Sequence, residues 1–315
     1  MYSVRMRMHN ADEDCGIAQA ATVMGDWWNV LVLREIARGH VRFDTLAAEL
    51  GLSRKVLTER LGRLVARGVL RRVLYQRRPV RYEYLLTDSG LALLPLLMAL
   101  QEWGDRWVLG DGSATATAAA DSAEHARVQA LVGARLPADL QLPAADGADR
   151  PVVAPDAAAT VLFTYPGSEP DRDGDRTPGG ARAVGAAGAT GAAGAAGIAR
   201  VAGAGGENRL FRDAWPDFRG AAVAVHGVSS QLPHEQAALA RAESVPYPLL
   251  SDAGQRLAAA LRLPVFRAAG RLHLKRLVLV IDPERTVRHA LFPVDDLPRA
   301  VEQTLQLAAA TAAAR

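Results

Sequence analysis

Residues 41–86 constrain the fold of this chain more than any other stretch, because two short helical patterns, a tight turn and two strand-like runs follow one another there without interruption. The first helical pattern has an apolar face formed by Leu46, Ala47 and Leu50. Gly51 is placed to end this helix, and Ser53 stands where the N-cap of a second helix belongs. The pattern predicts a helix-turn-helix.

The second helix of this pair has two chemically different faces. Its apolar stripe consists of Leu57, Leu61 and Leu64, and its opposite face carries Lys55, Thr58, Glu59 and Gly62. After Gly68, a C′ glycine by position, the runs 69–75 and 81–86 have strand character and predict a hairpin with a basic tip at 76–79. A basic β-hairpin beside an exposed helix face is typical of a winged helix-turn-helix that contacts DNA phosphates or the minor groove.

Positive charge is concentrated in the same region. Residues 34–81 contain thirteen Lys and Arg against four Asp and Glu, a local net charge of +9, whereas the whole chain has a net charge of +3. Phosphate neutralisation supplies most non-specific DNA affinity, so this concentration favours DNA binding over the alternative of a merely solvated basic surface. The residues predicted to contact DNA are Ser53, Arg54, Lys55, Thr58, Glu59, Arg63, Arg77 and Arg78.

Six short motifs within residues 14–107 resemble the HxlR family of bacterial transcription regulators. They are Cys15-Gly16-Ile17-Ala18, Met24-Gly25-Asp26-Trp27-Trp28, Leu31-Val32-Leu33-Arg34-Glu35, Arg42-Phe43, Leu57-Thr58-Glu59-Arg60-Leu61 and Tyr82-Glu83-Tyr84-Leu85-Leu86-Thr87. The resemblance implies a homodimeric winged-helix repressor or activator that binds an inverted repeat in double-stranded DNA. Members of the family often carry a cysteine at the position of Cys15, and some of those respond to oxidants or electrophiles.

A helix is predicted within residues 12–37, near whose start Cys15 lies. Its expected buried face consists of Ile17, Ala21, Met24 and Trp28, and Trp27 is also expected to be buried. The helix dipole favours a Cys15 thiolate, whereas the acidic residues just before it oppose one. Cys15 is therefore a candidate redox sensor, and a small buried hydrophobe is the alternative.

A further helix is predicted over residues 88–107, capped by Thr87 and kinked at Pro95. Its apolar stripe comprises Leu91, Leu94, Met98 and Trp103. This helix has more hydrophobic surface than a small domain can bury, so we expect the surplus to form a dimer interface. Residues 1–109 are thus predicted to form the DNA-binding and dimerisation domain, and the Ala/Thr/Ser/Gly-rich residues 110–130 a linker that is partly helical.

Composition excludes several classes of protein. A chain of 315 residues fits two domains, and it contains neither a run of eighteen uncharged apolar residues nor the apolar core of a signal peptide. We therefore expect a cytoplasmic protein without membrane contact. The single cysteine excludes an intramolecular disulfide and a Cys-x-x-Cys pair, and the seven scattered histidines show no metal-site spacing. No metal and no cofactor are expected.

The second half of the chain alternates between strand-like and helical patterns, which predicts an α/β domain over residues 131–315. Apolar runs at 161–163, 223–228, 277–281 and 287–291 alternate with helical patterns near 234–243, 253–262 and 296–310. Pro233 stands at a helix N1 position. The fold class predicted for the whole chain is an α+β winged helix-turn-helix followed by an α/β thioredoxin-like domain.

Residues 131–308 resemble the peroxiredoxin-like redoxin family, which has a thioredoxin fold. Its motifs here include Val161-Leu162-Phe163-Thr164-Tyr165-Pro166, Phe211-Arg212-Asp213, Pro248-Leu249-Leu250-Ser251-Asp252 and Lys275-Arg276-Leu277-Val278-Leu279-Val280-Ile281-Asp282. Peroxidase chemistry needs a thiolate, yet no cysteine follows Cys15. Thr177 and Arg276 are therefore predicted to be remnants of the family's site, and the Gly/Ala-rich residues 179–206 a mobile insert.

The sequence lacks the complete motifs of a phosphate-binding loop, a calcium loop and a hydrolase active site. The glycines are not followed by a Walker lysine, the acidic run at 171–175 lacks the turn glycine and closing glutamate of a calcium loop, and the residues around Ser229 lack the final glycine of a hydrolase elbow. The leading hypothesis is a DNA-binding regulator, not an enzyme, with a catalytically silent redoxin-like domain and an oxidant or small-molecule effector. The alternatives are a thiol peroxidase with a fused DNA-binding head, and a scaffold that binds neither DNA nor peroxide.

Overall fold

The computed structural model describes residues 14–108, 118, 121–167, 206–268 and 270–314. They form two compact units, which divide between Leu97 and Met98. The predicted end of the first domain, residue 109, lies later than this division. The predicted insert at 179–206 lies outside the described residues except for Gly206. None of the helices within these described ranges is long and apolar enough to cross a membrane.

The first unit contains helices followed by a β-hairpin. The helices are α1 (Gly16–Met24), α2 (Trp27–Ala37), α3 (Phe43–Leu50) and α4 (Arg54–Ala66), and the hairpin consists of β1 (Leu70–Arg77) and β2 (Val80–Leu86). The two strands pair antiparallel, with an irregularity in register between Leu74 and Gln76. The predicted helix-turn-helix and hairpin are confirmed, and the strand bounds extend into the predicted tip.

The core of the first unit is formed by the apolar faces that the sequence predicts. Leu46 of α3 and the α4 stripe of Leu57, Leu61 and Leu64 are all buried, together with Val32, Leu33 and Ile36 of α2. Burial of these side chains holds the three helices together and fixes which face of α4 points away from the core. The predicted apolar faces of α3 and α4 are therefore confirmed.

The prediction of one continuous helix within residues 12–37 is wrong, because the helix is interrupted between Met24 and Trp27. The chain forms α1 and α2 separately, because the side chain of Asp26 accepts a hydrogen bond from Trp28 N (3.0 Å) and so caps a new helix. Ile17 is 83% exposed and Trp27 is 61% exposed, contrary to the predicted burial. Helix periodicity identifies an apolar face but does not say what covers it.

The predicted helix over residues 88–107 is also interrupted. Thr87 Oγ1 caps a short α5 (Asp88–Leu91), as predicted, and the chain then turns before α6 (Leu94–Trp107). Pro95 is the second residue of α6, where its missing N–H needs no intrahelical partner, so the proline begins a helix instead of kinking one. Leu94 and Met98 are buried, whereas Trp103 is 56% exposed.

The second unit is built on a mixed five-stranded sheet. Its strands are β5 (Ala159–Thr164), β6 (Val223–Ser229), β7 (Leu249–Ser251), β10 (Leu277–Ile281) and β11 (Val287–Leu291), in the spatial order β11-β10-β5-β6-β7. Strand β5 pairs parallel with β6 and β6 parallel with β7, while β10 pairs antiparallel with both β5 and β11. This confirms the predicted α/β architecture of the second half.

Helices and two short hairpins surround this sheet. The helices are α7 (Ala123–Gln129), α8 (Gly206–Asp213), α9 (Trp215–Gly220), α10 (Pro233–Ala242), α11 (Arg256–Leu261) and α12 (Leu297–Ala313). The hairpins, which the sequence analysis missed, are β3 (Gln141–Pro143) with β4 (Asp149–Pro151) and β8 (Val265–Ala268) with β9 (Arg271–Leu274). Helix α7 lies inside the predicted linker, and it buries Glu124 and Val128.

Candidate functional site

The start of α4 is fixed by the turn that precedes it. Gly51 ends α3 with a left-handed backbone (φ +60°), a conformation that is costly for residues with a Cβ atom. Ser53 Oγ then accepts a hydrogen bond from Val56 N at 3.4 Å and caps α4. The turn and the cap thereby orient the exposed face of α4 relative to the core of the first unit.

The start and the exposed face of α4 contain six of the eight residues predicted to contact DNA. Lys55, Thr58, Glu59 and Arg63 are all exposed, as are Ser53 and Arg54 at the start of the helix. Gly62 lies between them, and a Cβ atom at this position would meet no described atom within 4 Å. Within the described part of the first unit, this face is therefore unobstructed.

Several of these side chains are already held by neighbours. Thr58 Oγ1 donates to Arg54 O (2.7 Å), and Arg63 pairs with Glu59 one turn earlier (2.5 Å). Arg54 pairs with Asp44 of α3 (2.8 Å), and its guanidinium lies 4.7 Å from the ring centre of Phe43. Arg54 could be identified from the sequence and Asp44 could not, because this contact joins two helices across the turn.

The hairpin presents its basic residues at its far end. Arg77 ends β1, Arg78 and Pro79 form the turn, and all three are exposed. Among the described residues, no carboxylate forms an ion pair with Lys55, Arg67, Arg71, Arg72, Arg77 or Arg78. Cations without an internal counter-ion are available to neutralise an external anion. Helix α4 and the hairpin therefore form a candidate nucleic-acid interface.

The one deeply buried carboxylate of the described basic region is Glu35, which the sequence analysis did not single out. It pairs with Arg34 (2.6 Å), Arg38 (2.9 Å) and His40 (2.9 Å). Burial alone would raise the pKa of Glu35, but Arg38, His40 and Arg34 together lower it below its ordinary value. Oxygen atoms of Glu35 and Glu49 lie near a His40 nitrogen, but the two guanidinium groups on Glu35 make this a poor cation site.

Cys15 occupies the N-cap position of α1 and is partly exposed. Its sulfur accepts no capping hydrogen bond from the helix, while its carbonyl oxygen accepts one from Gln19 N (2.9 Å). Cys15 is therefore not fully enclosed by the described part of the chain.

In the second unit, the predicted remnants of a redoxin site are not seen together. Thr177 lies outside the described residues. Arg276 pairs through Nε with Glu207 in the first turn of α8, and both side chains are largely buried. An arginine that is held by a carboxylate has one hydrogen-bonding edge fewer for a thiolate or peroxide.

The residue before Arg276 forms a second buried ion pair. Lys275 Nζ lies 2.5 Å from Glu124 Oε2 of α7, and both side chains are at most 1% exposed. Burial raises the pKa of Glu124, and the ammonium group of Lys275 opposes this shift. Lys275 and Arg276 therefore connect the sheet to α7 and α8, respectively. The sequence signal that could have indicated these two buried ion pairs is the presence of two adjacent cations directly before an apolar strand.

A neutral polar cluster lies beside this site. Gln236 Nε2 donates to Ser229 Oγ (3.0 Å), and Tyr247 donates to Asn208 O (2.8 Å). The Tyr165 hydroxyl is near Ser229, Gln236 and Asn208 without a well-aligned hydrogen bond to any of them, and burial raises its pKa. These groups are neutral, and none of them provides the thiolate that attacks a peroxide.

Comparison with known proteins gives two family matches. The model of the HxlR-like helix-turn-helix family matches residues 23–111, and that of the AhpC/TSA family matches residues 203–290. The solved structure of peroxidoxin BcpB from Mycobacterium tuberculosis is similar to this chain, with 24% identity, coverage of 57% of this chain and 96% of that chain, and a TM-score of 0.42.

The first unit is similar in sequence to several curated proteins. An uncharacterised HTH-type transcriptional regulator of Mycobacterium tuberculosis is 39% identical over 92 residues, and the match spans 29% of this chain and 58% of that protein's length. The uncharacterised HTH-type transcriptional regulator YvaP of Bacillus subtilis is 37% identical over 101 residues, which cover 31% of this chain and 94% of YvaP. By this near-complete coverage of YvaP and the match at residues 23–111, the chain belongs to the HxlR-like helix-turn-helix family.

Proposed function

We propose that this chain is a transcription regulator that binds an inverted repeat in double-stranded DNA as a homodimer, and that its redoxin-like unit carries out no thiol chemistry. The observation that supports DNA binding most strongly is the set of six cations on or beside α4 and the hairpin that have no carboxylate partner among the described residues. The relatives named as transcriptional regulators support the same role.

Exposed apolar side chains support a dimer. Ile17 and Trp27 in the first unit are exposed, and so are Leu96, Leu100, Trp103 and Trp107 along α6. Large apolar groups gathered on helices are costly to leave in water, and a second copy of the chain is the simplest cover for them. A two-fold symmetric dimer presents two copies of α4 to DNA and hence reads two inverted half-sites.

We infer from its residues that the redoxin-like unit carries out no thiol chemistry. Cys15 is the only cysteine of the chain, and it belongs to the first unit. Arg276 is paired with Glu207. A peroxidase requires a thiolate that the fold itself positions, and this unit offers no thiol.

Cys15 is the proposed point of control by oxidants. With no second cysteine in the chain, oxidation can yield a sulfenic acid, a mixed disulfide with a small thiol, or a Cys15 to Cys15 disulfide between two copies. Each product alters the start of α1. A titration with oxidant tests this role by following DNA affinity and intact mass together. Loss of affinity that Cys15→Ser abolishes supports it, and an equal response of Cys15→Ser and wild type refutes it.

The experiment that tests the proposed function is selection of bound fragments from genomic DNA by the full-length protein. We expect the selected fragments to share an inverted repeat whose half-sites lie about one helical turn apart or a multiple of it. The stoichiometry on a single site should be two chains per duplex. Selection of no common sequence, together with a monomer on the bound duplex, would contradict the proposal.

A further inference from the structure

Asp44, in the first turn of α3, contacts two arginines from different elements. Its Oδ1 lies 2.8 Å from Arg54 Nη1 at the start of α4, and its Oδ2 lies 3.5 Å from Arg81 Nη1 on β2. A single carboxylate thus bridges the candidate recognition helix and the hairpin. This arrangement places an anion between two cations on the surface that is proposed to face DNA.

All three groups are open to solvent. The exposed fractions are 57% for the side chain of Asp44, 76% for Arg54 and 48% for Arg81. Arg54 and Arg81 lower the pKa of Asp44, so the carboxylate is ionised at neutral pH. Ion pairs between exposed groups stabilise a fold little, because water and salt screen them, and they exchange readily with other ions.

Arg54 has a second support that does not depend on Asp44. Its guanidinium lies over the ring of Phe43 at 4.7 Å, a cation–π contact that restrains the position of the group. Departure of the carboxylate would therefore leave Arg54 near its present position. A preorganised guanidinium binds an incoming anion at a lower entropic cost.

We propose that Arg54 and Arg81 form a binding site for one DNA backbone phosphate, and that Asp44 occupies this site in the free protein until the phosphate displaces it. The inference rests on the proposed DNA-binding function. Carboxylates and phosphodiesters both offer two oxygen acceptors to guanidinium donors, so the site that holds Asp44 suits a phosphate. Asp44 then weakens DNA binding and acts on all sequences alike, since the backbone carries no sequence information.

The Asp44→Asn substitution removes the competing charge and keeps the side-chain shape. We expect it to tighten binding to the selected site and to unrelated duplex by about fivefold, and to steepen the salt dependence by about one phosphate contact. Asp88→Asn is the matched control, because Asp88 is also an exposed first-turn aspartate and forms no ion pair with a described residue. We expect no such gain for the control.

Fluorescence anisotropy with labelled duplexes over a range of salt concentrations measures these effects. In an Arg54→Ala background, Asp44→Asn should lose most of its gain, which ties the effect to this pair. If wild type binds DNA and Asp44→Asn binds equally or more weakly at an unchanged melting temperature, Asp44 positions the arginines and the inference is wrong. Failure of wild type itself to bind any duplex overturns the proposed function as well, so the two failures are distinguishable.

Discussion

The two units of this chain place their charges in opposite ways. In the first unit, most cations of α4 and the hairpin lie on the surface, and six on or beside these elements have no carboxylate partner among the described residues. In the second unit, Lys275 and Arg276 point into the protein, where each is held by a glutamate. Exposed unpaired charge is available to an external polyanion, whereas buried paired charge can only position its own fold. The contrast supports the proposed assignment of DNA binding to the first unit.

The largest effect is expected when the buried ion pair of Lys275 is removed. Replacing Lys275 with Ala leaves Glu124 buried without a counter-ion, so we expect a loss of about 3–5 kcal/mol in the free energy of unfolding of the second unit. Hydrogen exchange of the β5 and β10 amides measures this unit separately. The control Arg150→Ala breaks the exposed pair with Asp146 and should change little.

A companion variant separates charge from packing. Replacing Lys275 with Met and Glu124 with Gln together should recover much of the lost stability, since no uncompensated charge remains. Equal losses in the Lys275→Ala and Arg150→Ala variants would mean that the buried ion pair stabilises the second unit no more than an exposed one does.

The next largest effect concerns the sequence that the first unit prefers. Changing Lys55 or Thr58 to Ala should alter the relative affinities for variant half-sites by about 1–3 kcal/mol, because side chains on the exposed face of α4 are expected to contact base edges. Competition binding with a set of single-base variants measures this. Uniform weakening across every variant would assign these residues to the phosphate backbone.

The acid sensitivity of the first unit should depend on Glu35. Its pKa is lowered in the folded state, so its carboxylate stabilises the fold above the unfolded pKa of about 4.5, and this contribution is lost as the pH falls through the folded pKa. Glu35→Gln should therefore cost about 1 kcal/mol at neutral pH and flatten the loss of stability in acid. Melting curves of both proteins between pH 3 and 7 test this, and parallel acid profiles would contradict it.

The smallest expected effect is in peroxide consumption, where we predict no activity. With a thiol reductant and hydrogen peroxide, wild type and Cys15→Ser should consume peroxide no faster than buffer, because the redoxin-like unit has no thiol. Catalytic turnover by wild type that is lost in Cys15→Ser would establish the alternative, a thiol peroxidase with a fused DNA-binding head.

Local features of the first unit could be predicted from the sequence. Gly51, the Ser53 cap and the leucine stripe of α4 depend only on neighbouring residues and on helix periodicity, and the structure confirms them. The strands and helices of the second half followed from the same kind of pattern. Such patterns are short-range, so they identify elements better than the contacts between them.

Contacts between distant residues could not be predicted in this way. Glu124 and Lys275 form one ion pair although about half of the chain separates them in sequence, and Asp44 meets Arg81 only after the hairpin has folded back. The exposure of Ile17 and Trp27 was missed for a related reason, since an apolar face is equally consistent with a core and with an interface.

The salt dependence of DNA binding tests the central claim most directly. Arg77→Ala/Arg78→Ala should weaken binding to every duplex and reduce the slope of log affinity against log salt by about two, the value for two lost phosphate contacts. The double variant Arg241→Ala/Arg299→Ala, which removes the same charge from exposed sites on α10 and α12, should keep the slope of wild type. Equal slopes in wild type and in the Arg77/Arg78 variant would contradict the assignment of the hairpin to DNA.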